Sequence, residues 1–164
     1  MSALRRVVGA TIVGALLAAA LRAPGSGLET VRFFIALPVG TFEKDHAVPL
    51  RVSLTNTSPR SVRVNARLAI NDRQEPKAFR EVTVTIRTPS GRTAEFRQDI
   101  KIRAAAVRDV VALAPGRSIA KTIDLNRYYA LDERGAYEAH ATYASPAGAV
   151  PGPLVSNTVR FTLR

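Results

Sequence analysis

The stretch LAPGRSIAKTIDLNRYYALDERGAYEAHATY, residues 113–143, decides the fold of this chain. Pro115-Gly116 predicts a turn, and apolar residues then alternate with polar ones from Ser118 to Leu125, which is the two-residue period of a β-strand. Residues 128–134 predict a crossover, and a second alternating segment runs from Gly135 to Tyr143. The stretch therefore predicts two strands and their connection, and it indicates architecture rather than chemistry.

The start of the second strand carries a glycine two residues before a tyrosine. Gly135 and Tyr137 in this spacing resemble the tyrosine corner of immunoglobulin-like sandwiches, in which the phenol hydroxyl bonds back to the main chain of the crossing segment. The alternation places Tyr137 and Tyr143 toward the core and His140 on the opposite face. On the first strand Lys121 shares the phase of the apolar residues, which is typical of an edge strand protected against pairing with other chains.

Short alternating segments with turn residues between them recur along the rest of the chain, and we expect them to be strands. They are residues 31–37, 48–54, 62–70, 82–86, 94–102 and 159–163. The second and third predict one hairpin, and the fourth and fifth predict another. The three alanines at 104–106 are compatible with a helical turn, and the pattern does not decide whether one forms. Without a convincing long helix, the pattern predicts an all-β protein, an antiparallel Greek-key immunoglobulin-like β-sandwich of about 7–8 strands.

The N-terminus has the order of parts of a secretory signal. Two arginines precede an uncharged apolar run over residues 7–21, and small residues with a cleavage site near Ala20 or Ala23 follow. The run is shorter than the ~20 apolar residues that span a bilayer, so we expect cleavage and no stable membrane span. The sequence thus predicts a signal peptide at 1–23, one sandwich domain at 24–164 and a periplasmic or extracellular location.

The composition limits how the protein is held together and what it binds. It contains no cysteine, so an exported sandwich cannot use disulfides and must be held by its core alone. The formal net charge is +11, carried mostly by arginine, and it favours acidic partners by long-range attraction. Codon bias in a GC-rich genome explains the same arginine content, and both interpretations stay open. No aromatic residues interleave the arginines, which argues against nucleic-acid binding.

Three arginines form the candidate basic binding face. If the apolar phase of the first predicted hairpin faces inward, Arg51, Arg63 and Arg67 project from its other side. Guanidinium groups in such an arrangement suit an acidic protein surface, acidic polysaccharide or phosphorylated headgroups. Solvent-exposed strand faces in an arginine-rich protein are the alternative.

Catalytic and cofactor chemistry has little support in the sequence. The two histidines, His46 and His140, are far apart and have no helical partner of the kind found in zinc sites, so we interpret both as solvated. No nucleophile elbow or phosphate-binding glycine loop is present, and we expect no enzyme activity and no cofactor. Four loop carboxylates offer oxygen ligands for calcium, but their spacing matches no known calcium loop. They are Glu43, Asp45, Asp72 and Glu75.

The last third of the chain resembles the immunoglobulin-like propart of aspzincin (deuterolysin-type) metalloendopeptidases. The matching residues are Pro115, Gly116, Ser118, Asp124, Leu125, Tyr129, Leu131, Gly135, Tyr137, Ser156, Asn157, Val159 and Phe161. The zinc motif His-Glu-x-x-His of the catalytic domain is absent from the sequence, so the resemblance implies the companion domain without the protease.

Two functions follow as hypotheses. The first is an exported, non-catalytic binding or structural module of the cell envelope that acts through protein–protein contacts. The second, implied by the resemblance, is a free-standing inhibitor or folding helper of a secreted metalloendopeptidase. The expected partner is accordingly a protein, either a secreted protease or an acidic component of the envelope.

Overall fold

The structure is a computed structural model that describes residues 30–70, 80–97, 106–145, 150 and 152–164. Within these residues the chain forms ten β-strands, one turn of α-helix and one 3-10 turn. The strands are β1 (Val31–Ala36), β2 (Thr41–Phe42), β3 (Pro49–Asn56), β4 (Val62–Asn65), β5 (Val82–Arg87), β6 (Val110–Leu113), β7 (Ser118–Asp124), β8 (Gly135–Tyr143), β9 (Leu154–Val155) and β10 (Val159–Leu163), and the helical turns are α1 (Leu125–Tyr128) and Val107–Asp109. The predicted signal peptide at 1–23 lies outside the described residues.

The strands form two principal sheets. One has the order β1-β3-β7, and the other has the order β2-β10-β8-β5 with β9 paired to β8. A separate two-stranded sheet joins β4 to β6. The pairings are antiparallel except for the short contact between β2 and β10. The predicted all-β, antiparallel, immunoglobulin-like sandwich is therefore confirmed.

The core lies between the two principal sheets because each strand turns its apolar phase inward. Phe33 of β1 meets Tyr143 of β8 across the sandwich, with ring centroids 5.8 Å apart. Tyr137 of β8 stacks on Phe161 of β10 at 5.1 Å. All four side chains are buried, and each such burial contributes roughly 1.5–3 kcal/mol. The two-residue alternation of the sequence is thus the source of the sandwich.

The first predicted hairpin is wrong. The strand that contains Arg51 pairs with β1 and β7, whereas the next strand pairs with β6. The turn between them is fixed by the buried side chain of Asn56, whose amide donates to the carbonyls of Arg60 and Leu113, each at 2.7 Å. These bonds direct the chain away from the three-stranded sheet. An alternating pattern defines which face of a strand is buried, but it does not define the neighbouring strand.

The second predicted hairpin is present only at its turn. After β5 the amide of Ala94 donates to the carbonyl of Ile86, but residues 88–97 form no regular strand. The main chain instead bonds to the crossover, where Arg97 donates to Tyr128 and Ala130 donates to Glu95. Residues 98–105, which include the rest of the predicted strand, lie outside the described part of the chain.

Tyr137 forms the hydrogen bonds that define a tyrosine corner. Its hydroxyl donates to the carbonyl of Glu133 at 2.7 Å and accepts from the amide of Glu133 at 3.0 Å. Burial raises the pKa of this phenol, opposed by the hydrogen bond to Glu133. The corner ties the crossover to the start of β8.

The predicted edge position of Lys121 is also observed. Lys121 lies on β7, which pairs with β3 alone among the described strands.

A second buried tyrosine fixes the two-stranded sheet to the core. The hydroxyl of Tyr143 accepts from the amide of Asn65 at 2.9 Å and donates to its carbonyl at 3.2 Å. Both residues are fully buried. This arrangement was not predicted from the sequence, because 78 residues separate the partners.

Alkaline pH should destabilise the fold through Tyr143. Burial raises its pKa above the ordinary value near 10, so the folded state favours the neutral phenol. The resulting stability is fully present below pH 10 and is lost as pH rises through the folded-state pKa. Urea unfolding at a series of pH values should show this decline, and the loss between neutral and alkaline pH should be smaller in Tyr143→Phe. An equal loss in the two proteins would exclude Tyr143 as its source.

Candidate interaction surface

The two outward faces of the sandwich differ in chemistry. The face of the β2-β10-β8-β5 sheet presents threonines and paired charges. His140 lies there opposite Thr85, and Arg160 donates to Glu138 at 2.9 Å. Arg87, opposite Glu138 on the same face, is exposed and forms no salt bridge among the described residues, so this face also carries positive charge but no exposed aromatic ring.

The outward face of the β1-β3-β7 sheet has an exposed aromatic ring and unmatched positive charge. Cross-strand pairing places nine residues on it in three rows. The rows are Arg32, Thr55 and Ser118; Phe34, Ser53 and Ala120; and Ala36, Arg51 and Thr122. We call these nine residues the three-stranded face. It contains no acidic side chain.

Phe34 occupies the centre of the three-stranded face. Its side chain is 46% exposed, and its row neighbours Ser53 and Ala120 are too small to cover the ring. Arg32 and Arg51 are exposed on the rows to either side, and neither forms a salt bridge within the described residues. An aromatic ring flanked by arginines is the composition found at the centre of protein interfaces. It corrects the expectation that no aromatic residue interleaves the arginines.

An apolar groove adjoins one end of the three-stranded face. It has a volume of about 370 Å³ and is lined by Ala36, Leu37, Pro38, Pro49, Arg51 and Thr122. Most of this lining is apolar, and Arg51 is its one charged residue. The groove and Phe34 together offer an apolar surface bordered by positive charge.

The predicted basic face does not exist as one surface. Arg51 lies on the three-stranded face, and Arg63 is exposed on β4 in the separate two-stranded sheet. Arg67 instead forms a salt bridge with Glu81, whose side chain is fully buried. The three arginines separate because the hairpin on which they were placed is not formed. Only Arg51 contributes to the candidate surface.

Glu81 and Arg67 form a structural ion pair. The second carboxylate oxygen of Glu81 accepts from the amide of Ala69 at 3.1 Å, so the carboxylate also orders the segment after β4. The Arg67 side chain is 17% exposed. Arg67 compensates the charge of a buried carboxylate, so its position is explained by the fold and does not require a ligand.

A polar pocket of about 220 Å³ lies at the crossover end of the sandwich, and two of its carboxylates, Asp132 and Glu133, form ion pairs with arginines. Glu133 accepts from Arg92 and from Ser90, and these bonds hold the pKa of Glu133 below its ordinary value. Asp132, also in its lining, pairs with Arg97. These ion pairs connect the turn after β5 and the segment that follows it to the crossover, so they stabilise the fold.

The histidines and loop carboxylates do not assemble into a metal centre in the described part of the chain. His46 lies in the loop after β2 and His140 in β8, and no group of three potential ligands was found among the described residues. Glu43 and Asp45 are described, whereas Asp72 and Glu75 lie outside the described residues.

Two of the residues that carry the resemblance to the propart form hydrogen bonds that stabilise the fold. Asp124 caps α1 by accepting from Asn126, and the same oxygen accepts from Val48 at 3.0 Å. Asn157 donates to the carbonyl of Ile35 at 3.0 Å and accepts from its amide at 2.9 Å. Its side-chain amide thus pairs with the edge of β1 as a neighbouring strand would.

Comparison with known proteins adds solved structures of low similarity. No protein-family model and no curated protein matches the chain. A CARDB domain from Pyrococcus furiosus, described in complex with di-metal ions, is 13% identical, with a TM-score of 0.42, over 84% of this chain and 97% of that one. A β-glucosidase from Erythrobacter marinus is 16% identical, with a TM-score of 0.38, over 82% of this chain, which spans 15% of the enzyme's length.

No helix among the described residues is long and apolar enough to cross a bilayer.

Proposed function

We propose that this protein is a non-catalytic binding module that recognises another protein through the three-stranded face. The observation that carries the proposal is the exposed ring of Phe34 between two arginines that have no acidic partner in the described chain. Aromatic and arginine side chains are enriched at protein interfaces relative to the rest of the protein surface.

The charge of the chain supports an acidic partner. The three-stranded face is basic without an acidic residue, and the chain has a formal net charge of +11. Complementary charge accelerates encounter and suppresses pairing with other basic proteins. Together with the predicted export signal, this supports an acidic protein of the cell envelope as the partner.

The resemblance to the aspzincin propart gives a narrower version of the same proposal. In that version the partner is a secreted metalloendopeptidase, and the protein inhibits it or assists its folding. A protease assay separates the two versions: the full chain should inhibit such an enzyme if the narrower one holds, and should leave its activity unchanged if the partner is another envelope protein.

Two substitutions on the three-stranded face should abolish partner binding. With the full chain immobilised and native exported proteins passed over it at moderate salt, we expect one protein to be retained at near-stoichiometric level. Phe34→Ser removes the apolar centre and Arg51→Glu reverses the charge beside the groove. Together they should reduce retention at least about 10-fold, because central aromatic and arginine anchors dominate binding energy.

A matched variant on the opposite face provides the control. Arg160→Glu changes an exposed arginine on β10 by the same charge and should retain the partner. Equal retention by the Phe34→Ser/Arg51→Glu variant and the wild type would overturn the assignment of the three-stranded face. Release of many acidic proteins from all variants at moderate salt would show that net charge alone accounts for binding.

A further inference from the structure

The outer edge of β7 has main-chain groups with no hydrogen-bond partner in the described part of the chain. In the β3–β7 ladder Leu125 donates to Val48 and Asn56 donates to Arg117. Antiparallel strands exchange bonds at every second residue pair, so Ile119, Lys121 and Ile123 bond to β3. The amides and carbonyls of the alternate residues therefore point away from the sheet. These residues are Ser118, Ala120 and Thr122.

The three outward residues of β7 are exposed. No described main-chain or side-chain bond reaches the amide or carbonyl of Ser118, Ala120 or Thr122. Their side chains are small and lie on the three-stranded face. The main chain is thus accessible from the side and from above.

The edge of β5 shows how this chain satisfies an edge when no partner is needed. The amide of Val82 donates to the carbonyl of Ala69, and the amide of Val84 donates to the hydroxyl of Tyr129 at 3.3 Å. The carbonyl of Ile86 accepts from Ala94. All three outward positions of β5 carry at least one internal bond, in contrast to β7.

The three-stranded face is too small to form a stable protein interface on its own. Three strands at ~4.8 Å spacing and about six residues long cover roughly 300 Å². A stable protein interface buries about 800 Å² on each partner. A partner confined to this face would therefore bind weakly, and a strand added along β7 would supply main-chain hydrogen bonds as well as area.

We infer that β7 receives an extended acidic segment of the partner as an additional strand of the β1-β3-β7 sheet. This inference rests on the proposed function and specifies its mode of binding. Each of the three outward residues can exchange two bonds with an antiparallel partner, giving about six main-chain bonds over five residues.

The charges around β7 determine the chemistry of the added strand. One phase of the incoming side chains lies on the three-stranded face, about two strand spacings (~10 Å) from β3 and within reach of Arg51. The other phase stands beside Lys121, which is exposed and whose ammonium lies 3.5 Å from the carbonyl of Arg67. Both phases therefore meet a positive charge, so acidic residues are favoured in either one.

A second copy of this chain is a poorer occupant of the same edge. Two β7 strands related by a twofold axis bring together the basic three-stranded faces of two chains with a net charge of +11 each. In the register centred between Ala120 and Thr122, the two Lys121 side chains also stand directly opposite each other, which is destabilising. Lys121 thus disfavours self-pairing and favours an acidic strand.

Amide exchange with a defined peptide tests the inference directly. The probe is a capped eight-residue peptide of alternating valine and glutamate, added to the full chain at low salt. We expect the exchange of the amides of Ser118, Ala120 and Thr122 to slow, while Ile119 and Lys121, already bonded to β3, change little. The same peptide with lysine in place of glutamate should bind at least about 10-fold more weakly.

Proline substitution provides an independent test with a matched control. Ala120→Pro removes an outward amide and obstructs pairing, and should weaken peptide binding about 10-fold or more through the loss of two or more hydrogen bonds. Ala112→Pro is the control, since Ala112 is exposed and, opposite Arg63, also directs its amide away from its neighbour. It should leave binding unchanged.

The outcomes distinguish strand addition from the broader proposal. Peptide binding without slowed exchange at the three β7 amides would overturn strand addition, as would equal binding by Ala120→Pro and the wild type. If the Phe34→Ser/Arg51→Glu variant still loses the captured protein in that case, the binding function stands and its mode is different. Concentration-dependent dimerisation that slows the same amides without peptide would replace the acidic partner by a second copy.

Discussion

Replacement of Arg67 by methionine should lower the free energy of unfolding by about 3–5 kcal/mol, a large fraction of the stability of a small domain. The substitution keeps the apolar length of the side chain and removes the charge that compensates the fully buried Glu81. Without Arg67 the buried carboxylate keeps its bond to the amide of Ala69 but loses the charge of this salt-bridge partner, so a large part of its desolvation cost is no longer offset. Urea unfolding followed by circular dichroism measures the change.

Two companion variants separate this cost from loss of packing. Arg160→Met removes an arginine from an exposed pair with Glu138 and should change stability within the error of the measurement. The double variant Arg67→Met/Glu81→Leu removes both charges and should recover most of the loss, because an apolar pair replaces the buried ion pair. A double variant as unstable as Arg67→Met would show that packing or the lost bond to the Ala69 amide, and not the uncompensated charge, causes the effect.

Substitution of Gly135 by valine should destabilise the protein by roughly 2–4 kcal/mol. Gly135 has a φ of 127°, where side-chain-bearing residues are strained. A Cβ atom there would stand 3.0 Å from the Cβ of Pro89 and 3.1 Å from its Cγ. The position therefore imposes both backbone strain and a steric conflict, and Gly135→Ala should show a smaller loss than valine in thermal and urea unfolding.

Gly40 offers the matched control for this series. It lies next to β2, its φ is outside the left-handed region, and a Cβ there would meet no atom within 4 Å. Gly40→Ala should leave stability nearly unchanged. Equal effects of alanine at the two positions would mean that the close approach of Pro89 does not restrict Gly135.

The sequence predicted the faces of strands better than their neighbours. The alternation in the segments of β1, β3, β7 and β8 identified which side chains enter the core, because burial follows the two-residue period directly. Strand pairing depends on contacts between distant segments, and the side chain of Asn56, which directs the chain out of the first predicted hairpin, looks like an ordinary turn residue in the sequence. The tyrosine corner of Tyr137 was predictable because its partner Glu133 lies within the same short crossover, whereas the approach of Pro89 to Gly135 was not.

The candidate surface was only partly predictable, for the same reason. The alternation placed Phe34 in the polar phase of its strand, and an aromatic residue in that phase was the available signal for an exposed patch. Arg51 was identified correctly as outward-facing. Arg67 was misplaced because its ion-pair partner Glu81 is 14 residues away, across a connection whose path the sequence does not reveal. Which main-chain groups of β7 point outward depends on the register of the β3–β7 ladder. The sequence alone does not give that register, so the open edge could not be predicted.

Hydroxyl-radical footprinting of the complex with the captured protein tests the binding surface most directly. In the free protein Phe34 and Val155 are both exposed, at 46% and 65%, and they lie on strands of different sheets. If the three-stranded face is the binding surface, oxidation of Phe34 falls sharply in the complex while oxidation of Val155 is unchanged. Unchanged oxidation of Phe34 together with protection of Val155 would contradict it and place the partner on the opposite sheet.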